Sequence, residues 1–130
     1  MEMIVVHLKN GEIAKGHSND FSPEKAVFHL INMIDPLCTE EIRLDNLKAI
    51  FFVKDFRGDF LHVDSYDFSE APVSGKHIII TFCDGEILFA TSKTIYTNET
   101  GFFIYPIDPK ANTIRAFVIN SFIESIDIVG

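Results

Sequence analysis

The sequence predicts an all-β protein made of two tandem five-stranded small barrels related by internal duplication. Three observations carry this prediction. "LKNGEIAKG" (Leu8 to Gly16) and "FCDGEILFA" (Phe82 to Ala90) write one pattern twice: an apolar strand, a two-residue turn, Gly-Glu-Ile, then a small residue five places after the glycine. Short apolar or alternating runs follow one another without a sustained helical period between them. The 130 residues are 47% hydrophobic, with thirteen Phe and no Trp, which suffices for a buried core and is too apolar for a disordered chain.

Laying Gly11 on Gly85 aligns Ile4 to Leu8 with Ile78 to Phe82, Glu12-Ile13 with Glu86-Ile87, Ser18 with Ser92, and Phe28 with Phe102. After one deletion, Ile34-Asp35-Pro36 meets Ile107-Asp108-Pro109, and a few residues of extra loop in the second copy then bring Leu47 to Val53 onto Ile123 to Val129. This divides the chain into a first repeat at 1–54, a connector at 55–75 that packs between the repeats, and a second repeat at 76–130.

The first strand, Ile4 to Lys9, closes at Asn10-Gly11, a hairpin dipeptide that tolerates positive φ; Asp84-Gly85 repeats the device. The second spans Glu12 to Phe21. Gly16 near its middle, with Ala90 as counterpart, suits a sharp bend or a close backbone approach. The third, Ala26 to Met33, lies in "EKAVFHLINMI", whose apolar spacing also fits a helix. Its counterpart "NETGFFIYPID" contains Gly101 and Pro106 and is rich in aromatics, so a shared backbone must be a strand. The fourth is Glu41 to Leu44, and Asp45-Asn46 turns the chain into the fifth, Lys48 to Lys54.

The opening "IVVHLKNGEIAKGHSNDF" resembles the first motif of Sm-like barrels, over roughly fifty residues of each half. The resemblance implies a Src-homology-3-type barrel in each repeat. It does not extend to RNA binding. Sm-like proteins use an Asp and an Asn after the second strand and an Arg-Gly before the last. Asp20 stands where the aspartate is expected, Phe21 to Leu30 holds no asparagine, and Asp45-Asn46 and Asn120-Ser121 replace Arg-Gly. The layout, including "LDNLKAIFFVKDF", is also similar to uncharacterised bacterial domains associated with signalling and regulatory proteins, which implies a bacterial source and a regulatory setting.

A net charge of −8 repels phosphate backbones, so nucleic acid is not an expected partner. No apolar run approaches a bilayer span and no secretory signal opens the chain, so a cytoplasmic protein without membrane contact is expected. Cys38 and Cys83 lack metal-like spacing and read as reduced thiols. His7, His17 and His29 lie on the first three strands, where three imidazoles could meet a metal; the second repeat has Thr81, Thr91 and Phe103 there, and no metal or other cofactor is expected. "DFSEAP" (Asp67 to Pro72) matches half of a PilZ signature but lacks its glycine and the arginines that grip phosphates. No phosphate loop, nucleophile elbow or HExxH appears, and Glu12 and Glu86 would sit on different barrels, so no catalytic residue is assigned.

The aromatic surplus remains. Phe51-Phe52 and Phe102-Phe103 are adjacent in strands, so one ring of each pair faces out of its own barrel. With Phe56 and Phe60 they are the interface candidates, covered by the other repeat or by a second chain. The expected function is a non-catalytic interaction or regulatory module that binds a protein partner or itself. The alternative is a nucleotide or metabolite sensor with its site between the repeats.

Overall fold

The computed structural model describes residues 2–56, 75–95, 99–108 and 110–129. It is all-β. Among the described residues, ten strands form one antiparallel sheet: β1 (Met3–Leu8), β2 (Ile13–His17), β3 (Val27–Asn32), β4 (Thr39–Arg43), β5 (Leu47–Val53), β6 (Lys76–Phe82), β7 (Ile87–Ser92), β8 (Gly101–Pro106), β9 (Thr113–Ile119) and β10 (Ile123–Val129). The order across the sheet is β10-β6-β7-β8-β9-β5-β1-β2-β3-β4. Each half therefore contributes a strip whose last strand lies beside its first, and the strips join where β5 pairs with β9.

The two hairpin turns match bond for bond. Gly11 and Gly85 adopt φ of 92° and 91°, a region that L side chains avoid. The Asn10 Oδ1 accepts the Glu12 N–H at 2.9 Å, and the Asp84 Oδ1 accepts the Glu86 N–H at 3.0 Å. Beyond them, β2 stops at His17 rather than at Phe21. The Ser18 hydroxyl accepts the Asp20 N–H and donates to the Asp20 carboxylate, turning the chain so that Phe21 enters a core. The third segment is a strand in both halves, as the paired sequences require. The fourth strand begins earlier than expected, at Thr39, and a single 3₁₀ turn (Leu44–Asn46) links it to β5; Asn120–Phe122 does the same in the second half.

Two cores lie on opposite faces of the β5·β9 ladder. Ile50 and Phe52 of β5, with Phe117 and Ile119 of β9, join Ile4, Val6, Phe28, Leu30 and Ile42 of the first half. Ala49 of β5, with Ala116 and Val118 of β9, joins Ile78, Ile80, Phe82, Ala90, Phe102 and Ile104 of the second. Side chains alternate across a strand, so one ladder serves both cores. Residues of β4 and β5 meet in one cluster although three strands separate them, so each strip rolls over on itself. The roll is tight at β2: a Cβ on Gly16 would stand 2.0 Å from the Ile31 carbonyl oxygen. That glycine is a close approach of two backbones.

Candidate ligand cleft between the two halves

The outer face of the first strip does not reach water everywhere. Ile4 and Val6 point into the first core, which turns Val5 and His7 outward. Lys15, Ile13, Phe51 and Val53 share that outer surface, and the second half rises opposite it. Between them lies a cleft of about 480 Å³. Its far wall is β7 from Leu88 to Ala90 with Ile87 at the lip, and Ile104, Pro106 and Ile107 beyond; Ala116 of β9 lies at the base. Ile13 and Ile87, which correspond in the two hairpins, are 56% and 54% exposed and stand at the rim.

Polar groups border this apolar trough. His7 packs edge-on against Phe51 with ring centroids 4.6 Å apart. Burial, and then the charge of Lys48, hold its imidazole below the ordinary histidine value, so it is neutral at pH 7. Lys15 Nζ donates to the Phe56 carbonyl at 3.0 Å. Asn112 also lines the cleft; its Nδ2 donates to the Asp55 carbonyl at 2.9 Å while its Oδ1 accepts the Asp55 N–H at 3.1 Å. Asp108 is buried there, and its carboxylate accepts the Lys110 N–H at 2.9 Å.

Lys48 crosses between the halves nearby. It is buried in β5, yet its Nζ lies 2.7 Å from both Asp84 and Glu86 and 4.8 Å from the centroid of the Phe82 ring. Burial alone would lower its pKa; the hydrogen bonds to the two carboxylates outweigh this and raise it. Lys48 in turn holds the Asp84 carboxyl below the usual range. Sequence reasoning passed over Lys48. The available signal was a lone cation in an otherwise apolar run, "NLKAIFF", facing an acidic turn written Asp-Gly-Glu.

The interface candidates separate into two kinds of position. Phe52 and Phe102 are buried in the core of their own half. Phe51 packs against the second half's core, and Phe103 against the first half's, so each half lends the other a ring. Phe103 lies 5.1 Å from Phe117 and 6.4 Å from Phe21, and the Arg115 guanidinium covers the rings of Phe52 and Phe103 at 4.3 and 4.8 Å. Phe56 is half-buried, 5.6 Å from the His17 ring, at the edge of the cleft. Phe60, most of the connector (57–74) and the PilZ-like stretch lie outside the described residues. The three strand histidines occupy separate settings: His7 in the cleft, His17 with its Nδ1 3.0 Å from the Glu2 carbonyl, and His29 with its Nδ1 2.7 Å from Asp20. Among the described residues no group of three His, Cys, Asp or Glu side chains is placed to hold a metal, and no helix is long and apolar enough to cross a membrane.

The chain is thus all-β, with a cleft bordered by residues of both halves. Comparison places it in a family: the model of a family of unknown function (DUF6982) matches residues 1–130, and the chain belongs to that family. Comparison with curated proteins and with solved structures gives no significant match.

Proposed function

We propose that the protein is a non-catalytic binding module whose ligand is a small, largely apolar molecule held in the cleft between the two halves. The cleft is the observation that carries this reading. Its volume of about 480 Å³ falls in the range of small-molecule sites, and its walls are apolar with a few polar groups at the border. Neutral His7 and the Lys15 ammonium are the groups that would fix orientation, by accepting or donating a hydrogen bond from the rim.

In this reading each half is a small barrel of the Sm-like type, and the two descend from one duplicated unit. The matched hairpin turns and the equivalent strand order support that descent. The net charge of −8 argues against nucleic acid as the ligand. A bacterial and regulatory setting is retained from the sequence resemblance.

A second reading, a protein partner laid across the cleft, is favoured by the exposed Ile13 and Ile87 at the rim. A thermal-shift screen of metabolites and nucleotides on the wild-type chain and on Ile13→Glu decides between them. The ligand reading predicts a hit that raises Tm in wild type and loses at least about tenfold in affinity in Ile13→Glu, with the protein monomeric throughout. Hits unaffected by Ile13→Glu place the ligand elsewhere. A screen without hits, with a partner protein bound by wild type and lost in Ile13→Glu, favours the second reading.

A further inference from the structure

Among the described residues each strip ends on an open edge: β4 pairs only with β3, and β10 only with β6. These edges are counterparts of strands that the chain has already joined internally. β4 corresponds to β9, because Phe28↔Ile42 in the first half matches Phe102↔Val118 in the second, and both strands run into a 3₁₀ turn. β10 follows the second of those turns as β5 follows the first. The β5·β9 joint is thus a template for a joint between β10 of one copy and β4 of the next.

Carrying the register across gives definite neighbours. Phe51↔Ala116 becomes Asp127 opposite Glu40, and Ile50↔Phe117 becomes Ile126 opposite Glu41. Phe52↔Arg115 becomes Ile128 opposite Thr39. Lys48, which meets Asp84 and Glu86, is replaced by Glu124, which would face Asn10 and Glu12. The counterpart of Phe103 is His29, which is held on its own half by Asp20. Edge strands carry charge in general. Here the charge falls on the positions where the internal joint is apolar or oppositely charged.

We propose that β4 and β10 are the two sides of a head-to-tail joint for a second copy of this chain, held apart by the carboxylates at Glu40, Glu41, Glu124 and Asp127. Like charges directly opposite in a ladder destabilise the pairing, and a repeat array ends where its outer surface is polar. The joint would cover Ile128, now 57% exposed, and satisfy the backbone groups of both edges. This inference does not depend on the cleft or on any ligand.

The test is a charge exchange read by sedimentation equilibrium. Glu40 and Asp127 are exposed, so their substitution leaves the fold intact. Glu40→Lys alone, or Asp127→Lys alone, sets opposite charges face to face and should strengthen self-association about tenfold or more over wild type. The double variant E40K/D127K restores like charges and should return to the wild-type state. Register is checked separately, on the E40K background with Cys38 and Cys83 replaced by serine: T39C/I128C should cross-link between copies, and T39C/E124C should not. Single variants that stay as monomeric as wild type, a double variant that associates as strongly as the singles, or cross-linking in the other register would overturn the proposal.

Discussion

Lys48 and Asp20 show how single residues hold the joint and the first turn. The Lys48 side chain is 8% exposed, whereas those of Asp84 and Glu86 are 44% and 55% exposed. Removing the cation leaves two carboxylates that water can solvate; removing the carboxylates leaves a buried ammonium without them. Lys48→Met should therefore cost no more than about 1 kcal/mol, and the D84N/E86Q pair about 3 kcal/mol, in urea unfolding. At Asp20 the hydrogen bonds from the His29 ring and from the His29 N–H lower the carboxyl to about 2. A depressed carboxylate stabilises the fold above its ordinary titration range near 4 and loses that contribution as pH falls towards 2. Asp20→Asn should flatten the acid limb of the stability curve between those values, by less than roughly 1 kcal/mol because the side chain is partly solvated.

The elements were the most readable part of the sequence. Asn10-Gly11 and Asp84-Gly85 announced both hairpins because only glycine takes their φ without strain. Comparison of the halves turned an ambiguous third segment into a strand. The end of β2 was not readable, because Ser18 and Asp20 act through side-chain bonds to the backbone that apolar periodicity does not record. Gly16 and Gly11 separate two uses of glycine. An added Cβ at Gly16 meets the Ile31 oxygen at 2.0 Å, whereas at Gly11 it meets nothing within 4 Å and only the positive φ resists it. Gly16→Ala should cost about 3 kcal/mol or more and Gly11→Ala about 1 kcal/mol, compared by thermal or urea unfolding.

At the scale of the whole molecule, the adjacent phenylalanines announced rings that need cover, but the sequence did not say that β5 would pair with β9. That pairing is set by residues far apart in the chain, and no local pattern encodes it. It is also what makes the cleft, because Phe51 and Ala116 lie in the ladder that both halves share. Shared strands couple the two cores. Phe103→Ala, made in the second half, removes a ring from the first half's core and should cost about 3 kcal/mol. Amide hydrogen exchange should show protection falling together in β1 and in β6, not in one half alone.

Under the proposed function, a ligand sits in the cleft between the two halves. The most direct test is a map of backbone amide shifts on titrating the strongest thermal-shift hit into uniformly labelled protein. Binding in the cleft should give one contiguous set of perturbed residues on both walls, including His7, Ile13, Phe51, Leu88 and Ile104, with β4 unchanged. Perturbations confined to one half, or centred on β4 or β10, would contradict it.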